Sequence, residues 1–306
     1  MKPPLTIIAA TDFSEPAGRA VERSFRLSGL VGGELHILHG LELDTLDSLR
    51  EMLGKGELTA LKARMEANAR DQLDQLINSL ANPQGMAAHP RVVIGNPLSA
   101  IPAEADALDA GLIVLGARGE SILRYAILGS TAARLLRKSV RRPVLVVKQR
   151  PYGAYHSVLV AVDFSPVSVQ AIRMARRLAP GADLILLHVF ELPYEGKLTF
   201  AGVEPDVIQH YIRKEQVRRR KQLHQLAEEA GLQPTAYMTS VIHGNPSLQI
   251  VSQEQEQNCD LIVLGKHGAH LTEELLLGSV TKHVLAESRG DVLVICDPRG
   301  PTDAFP

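Results

Sequence analysis

Tryptophan is absent from this 306-residue chain, and the aromatic residues together make up only 4% of it. No row of rings is available on which nucleic-acid bases could stack. Cysteine is nearly absent as well: Cys259 and Cys296 stand far apart, in no metal-ligand spacing. Two such residues build neither a disulfide framework nor a zinc knuckle, and both read as small core residues in a reducing compartment. Charge of one sign is missing too. The formal net charge of −1 gives no field that would draw the chain to nucleic acid or acidic lipid. No apolar run approaches the ~20 residues a membrane span requires. The opening stretch MKPPLTIIAATDFSEPA has too few apolar residues before Asp12 for a secretory signal and reads as a strand. The expected location is the cytoplasm, without a membrane partner.

What is present is a repeat. IIAATDFSEPA (7–17) returns as VLVAVDFSPVS (158–168), LHILHG (35–40) as LILLHV (184–189), GNP (95–97) as GNP (244–246), and GLIVLGARG (111–119) within CDLIVLGKHG (259–268). From His39 to Gly129 the two copies keep a constant offset of 149 positions. One period spans about half the chain, so this is a tandem pair of domains and not a solenoid. The polar stretch KQRPYGAYH (148–156) lies between two apolar runs and serves as the linker. The expected domains are 1–150 and 151–306.

Within the first copy, LTIIAATD reads as a buried strand. SEPAGRAVERSFRLSGLVGG reads as a helix capped by Ser14, with Pro16 in its first turn and Gly32–Gly33 at its end. Strand ELHILHG, a long helix LTALKARMEANARDQLDQLINSLA, strand PRVVIGN, helix PLSAIPAEADALDA, strand GLIVLGARG, helix STAARLLRKSV and strand PVLVVK follow. Continuous apolar strands alternating with helices predict an α/β fold. Each copy is expected to be a doubly wound five-stranded parallel sheet, strand order 3-2-1-4-5, with helices on both faces. Ligands of such sheets bind beyond the carboxyl ends of the strands where the winding reverses, between strands one and four. The loops that meet there carry Asp12 with Gly116–Gly119, and Asp163 with Gly265–Gly268.

Three glycines repeat at one spacing: Gly116, Gly119 and Gly129, then Gly265, Gly268 and Gly278. Glycine turns let backbone N–H groups approach phosphate oxygens closely. Ser130 and Ser279 then open a helix whose first N–H groups and dipole favour an anion. Recognition by main chain leaves the intervening side chains free to diverge. No lysine precedes either serine, so this is not a Walker A loop, and the spacing is not GxGxxG.

The pattern G-x2-G-x9-G-[ST], with an early Asp-x-Ser loop, a His-Val strand end and a Gly-x-Pro segment, resembles the universal stress protein family over nearly the whole chain. The resemblance implies a stress-response regulator that binds ATP, with domains that pair two by two. The two copies would pair with each other, and a homodimer is conceivable. It places Ala10, Thr11, Asp12, Leu115, Gly116, Arg118, Gly119, Gly129, Ser130 and Thr131 around nucleotide in the first copy. In the second it places Ala161, Val162, Asp163, Val189, Leu264, Gly265, His267, Gly268, Gly278, Ser279 and Val280 there. Gly40 stands where Val189 stands and removes a side chain that would wall the first pocket. Glu273 and Glu274 replace Arg124 and Tyr125, and the preferred reading turns them to solvent.

Asp12 and Asp163 either hold Mg2+ through the nucleotide or cap the following helix. His39 and His188 read as core or pocket-edge residues. His267, His270 and His283 lack the spacing of a zinc motif. Lys214, Arg218 and Lys221 share a helix face, but Glu215, Glu228 and Glu229 dilute it, so nucleic acid is not expected. No nucleophile, general base and lysine occur together in the loops, which points to binding with little or slow turnover. A slow ATPase or nucleotidyl or phosphoryl transferase, and a scaffold that binds no nucleotide, are the alternatives.

Overall fold

The computed structural model describes residues 4–42, 55–82, 85–117, 129–137, 141–268 and 277–296. The chain divides into two compact units, Met1–Ala154 and Tyr155–Pro306. In the first unit, β1 (Ile7–Ala10), α1 (Glu15–Val31), β2 (Leu35–Leu41), α2 (Lys55–Ser79), β3 (Ala88–Ile94), α3 (Pro97–Ala107), β4 (Leu112–Gly116), α4 (Ser130–Arg137) and β5 (Val144–Val147) follow one another. The second unit repeats the plan. Its elements are β6 (Ser157–Ala161), α5 (Pro166–Leu178), β7 (Asp183–Phe190), a short α6 (Glu195–Phe200), α7 (Pro205–Glu229), β8 (Met238–His243), α8 (Pro246–Glu256), β9 (Leu261–Gly265), α9 (Ser279–Glu287) and β10 (Asp291–Ile295). Among the described residues, no helix is long and apolar enough to cross a membrane.

The strand order is β3-β2-β1-β4-β5 in the first unit and β10-β9-β6-β7-β8 in the second. Every described pairing within a unit is parallel. Both units are therefore doubly wound α/β domains with helices on both faces. The central strands are apolar throughout because both of their sides are covered. Ile7, Ile8, Leu112, Ile113 and Val114 are fully buried in one unit, and Val158, Leu159, Leu261, Ile262 and Val263 in the other. Helix α1 starts where the sequence says it should: the Ser14 hydroxyl accepts from the Ala17 N–H and Pro16 sits in the first turn. Each sheet has its first strand flanked by its second and fourth, so the crevice opens between β1 and β4, and between β6 and β9.

Cys259 and Cys296 are both buried and free. Burial pushes the Cys296 thiol up to about 12, the nearby Lys266 charge only partly offsetting it. It is an inert core residue.

Candidate functional site

Strand β7 presents alternate side chains to opposite faces of its sheet. Leu187 and Val189 face a cavity of about 270 Å³ at the carboxyl ends of β6, β7 and β9. Pro246 and Ile250, one turn apart on α8, close the same flank. The GNP segment puts them there: Gly244 takes φ 138°, a region open to glycine and rarely to other residues, and Asn245 caps α8 by accepting from Leu248 N–H at 3.3 Å. Gly95 and Asn96 repeat this geometry in the first unit, with φ 125° and a 2.9 Å cap.

The opposite flank is made of turns. The Asp163 carboxylate Oδ1 accepts from Ser165 N–H and from the Ser168 hydroxyl, each at 3.0 Å, while Ser168 Oγ accepts from Asp163 N–H at 3.3 Å. One carboxylate oxygen thus braces the turn ahead of α5, and Oδ2 lies 3.6 Å from the point where a side chain on Gly268 would begin. Gly278 donates to the Lys266 carbonyl at 3.0 Å, and the Thr281 hydroxyl donates to the Gly265 carbonyl at 2.8 Å. Together these bonds clamp the end of β9 to the start of α9. The first N–H groups of α9, at Ser279 and Val280, border the cavity, and a helix cannot satisfy them internally.

All eleven second-copy positions named from the sequence line this cavity: Ala161, Val162 and Asp163 from the first loop, Val189 from β7, Leu264 to Gly268 from the glycine turn without Lys266, and Gly278, Ser279 and Val280 at the helix start. Leu187, Pro246, Ile250 and Thr281 line it as well and were not named. The alternation along β7 carries the signal for Leu187, and the GNP anchor carries it for Pro246.

The first unit repeats the frame. Gly129 N–H donates to the Ala117 carbonyl at 2.6 Å, as Gly278 does to Lys266. Asp12 Oδ1 accepts from the Ser14 N–H at 3.1 Å, and the hydroxyl that caps α1 is that of Ser14. Thr11 and Leu115 are buried, Ala10 is half-buried and Thr131 exposed. Arg118 and Gly119 lie outside the described residues, as do Arg124, Tyr125, His270, Glu273 and Glu274, and Ser130 is described only in its backbone.

Two glycines of the first unit lie against backbone or side-chain atoms where a Cβ would stand. A side chain begun on Gly116 would meet Pro16 O at 2.7 Å and Ala17 N at 2.9 Å, the backbone of α1's first turn. At the matching Gly265 the α5 neighbour is only the Val167 side chain, at 3.6 Å. The space freed by Gly40 is also filled: Pro97 Cγ lies 2.9 Å from where its Cβ would stand. A side chain begun at position 40 would therefore meet the first residue of α3 and not open space.

Behind each first loop sits a histidine. His39 Nδ1 donates to the Thr11 carbonyl at 2.9 Å, and His188 Nδ1 to the Val162 carbonyl at 2.8 Å. Phe13 and Phe164, at φ 66° and 62°, lie tilted against these rings with centroids 4.3 and 4.4 Å apart. Burial holds the His188 imidazole below its usual range, and the adjacent Arg219 charge adds to this. Among the described residues no group of three His, Cys, Asp or Glu side chains could hold a metal. Lys214, Arg218 and Lys221 are exposed on α7, and Glu215 pairs with Arg218 and Arg219, each at 3.3 Å.

Comparison with known proteins gives this geometry relatives. A profile of the Universal stress protein family matches residues 5–148 and again residues 154–295. A universal stress protein of Methanocaldococcus jannaschii is 28% identical over 148 residues, covering 47% of this chain and 84% of that protein. One of Mycobacterium tuberculosis is 29% identical over 201 residues, covering 62% of this chain and 60% of its own length. The crystal structure of a universal stress protein from Archaeoglobus fulgidus superposes with a TM-score of 0.62 at 21% identity, over 95% of this chain and 98% of that one, a likeness of fold. With the family matched once in each half, the chain belongs to the universal stress protein family as a tandem, two-domain member.

Proposed function

We propose that the crevice of the second domain binds an adenine nucleotide, ATP in preference, and that the protein acts as a cytoplasmic stress-response regulator whose occupancy matters more than turnover. The observation that carries this reading is the two-sided character of one cavity. An apolar flank of Leu187, Val189 and Ile250 suits a purine ring, and it faces a glycine turn and the start of α9, which suit phosphate. The Thr281 hydroxyl is committed to the Gly265 carbonyl and Asp163 Oδ1 to the turn before α5, roles that hold the turns and favour slow turnover or none.

Magnesium fits this arrangement as a companion of the nucleotide. Mg2+ takes most of its ligands from water and phosphate and needs only one or two carboxylates. Asp163 supplies one, with Oδ2 directed toward the glycine turn. The bound cation would neutralise phosphate charge, and Asp163 would orient it.

The cavity of the second domain accounts for one nucleotide per chain. Isothermal titration of the full chain with ATP and Mg2+ tests both points: one site per chain is expected, without multiple-turnover phosphate release. No heat and no retained nucleotide at millimolar ATP would remove the proposal and leave the scaffold reading. Sustained phosphate release lost in Asp163→Ala would replace it with the ATPase reading.

A further inference from the structure

Helix α7 reaches the cavity from behind, through a chain of hydrogen bonds that involves no lining side chain. Arg219 Nη1 donates to His188 Nε2 at 2.9 Å. His188 Nδ1 donates to the Val162 carbonyl at 2.8 Å, which requires the Nδ1–H tautomer and leaves Nε2 as the acceptor that an arginine can serve. The His188 ring is buried and held on one face by Phe164 at 4.4 Å. Arg219 lies over the Phe190 ring at 5.0 Å, and Glu215 Oε2 stands 3.3 Å from its Nε. Phe164 holds a left-handed backbone conformation that a large side chain seldom adopts, with its ring tilted against His188. The residues on either side of the bonded carbonyl, Ala161 and Asp163, line the cavity, as Val162 itself does. The first domain repeats the His39 and Phe13 pair, but among the described residues no arginine meets His39.

We infer that Arg219 and His188 are positioning residues for the ligand cavity of the second domain: they fix the Val162–Asp163 turn through its main chain, and so couple the placement of α7 to ligand affinity. This rests on nucleotide binding in that cavity. The arginine serves the tautomer and the tautomer serves the carbonyl, so a change at Arg219 reaches the turn without touching a ligand. Burial, which keeps His188 neutral, maintains the same hydrogen-bond polarity. Movement of α7, whose outer face carries exposed Lys214, Arg218 and Lys221, would be read at the cavity by this route.

The experiment compares full-length wild type, Arg219→Met, Arg219→Lys and His188→Asn. Two quantities are read: ATP affinity, and amide hydrogen exchange at Ser165 without ligand. Arg219→Met is expected to weaken ATP binding roughly tenfold or more, the effect of losing one charge-assisted bond. Exchange at Ser165 should accelerate. Arg219→Lys, which keeps a donor, should recover much of both. If Arg219 acts only by packing, Met will serve at least as well as Lys. Unchanged Ser165 exchange in both Arg219→Met and His188→Asn overturns the inference. If wild type binds no ATP, the functional proposal fails, while the ligand-free exchange still decides the role of Arg219 and His188.

Discussion

An alanine at Gly268 separates recognition from folding. Among the described residues, a methyl group built there meets a single neighbour within 4 Å, Asp163 Oδ2 at 3.6 Å, which is ordinary contact. The backbone is not in the left-handed region, so alanine adds no strain, and the narrower unfolded ensemble stabilises the chain by up to about 1 kcal/mol. The methyl nevertheless stands between the Asp163 carboxylate and the turn, where a phosphate would approach the main chain. Losing one charge-assisted hydrogen bond costs about 1.5–3 kcal/mol, or roughly 10- to 100-fold in Kd. Gly116→Ala, the same change one motif position earlier in the first domain, has the opposite profile. Its methyl would sit 2.7–2.9 Å from three backbone atoms of Pro16 and Ala17, and backbone cannot yield as a side-chain tip does. Overpacking of that kind costs about 1–3 kcal/mol and lowers Tm by about 2–4 °C per kcal/mol in a domain of this size. Titration calorimetry and thermal unfolding on both variants decide the matter. Wild-type affinity in Gly268→Ala, or loss of affinity without loss of Tm in Gly116→Ala, would refute the division of roles.

Two further outcomes follow from buried groups. Thr281→Val keeps the shape of the side chain and leaves the Gly265 carbonyl without its 2.8 Å hydroxyl donor; about 1–3 kcal/mol of stability should be lost, and a urea midpoint equal to wild type would show that the clamp contributes nothing. His36 and His188 are both held below the ordinary histidine range, chiefly by burial. Arg91 and His89 oppose protonation of the first and Glu34 favours it; Arg219 opposes protonation of the second and Asp163 favours it. The sign follows from linkage: above about pH 6.5 both folded and unfolded histidines are neutral and stability is flat. As pH falls below that value the unfolded chain takes up protons first, and stability drops by at most about 1.4 kcal/mol per pH unit for each histidine. Urea midpoints at pH 8, 7, 6 and 5 should show this slope and a shallower one in His188→Gln; identical slopes would contradict it.

The strand order and the glycine turns are legible in the sequence because they are written locally. LIVLG and VLVV are short apolar runs between turn residues, and GNP marks a helix start by its own chemistry. The Asp163 and Gly265–Gly268 loops that converge on the second cavity follow from topology once the strands are ordered; Val189 comes from the family resemblance. Arg219 was not legible. It sits among Arg218, Arg220 and Lys221, and nothing in that run distinguishes the one residue that turns inward; the choice is made by His188, 31 positions away on β7. The surroundings of Gly40 were equally hidden. A glycine at position 40 signals only a missing side chain, and whether the vacancy stays open depends on where Pro97 comes to rest.

The left-handed phenylalanines have a consequence for divergence. Glycine at position 13 or 164 would relax the backbone and forfeit the ring that lies against His39 or His188; a bulky or β-branched replacement keeps the torsion penalty and changes the ring contact. Histidine and phenylalanine therefore act as one structural unit in each half of the chain, and a change at either member alone disturbs the other.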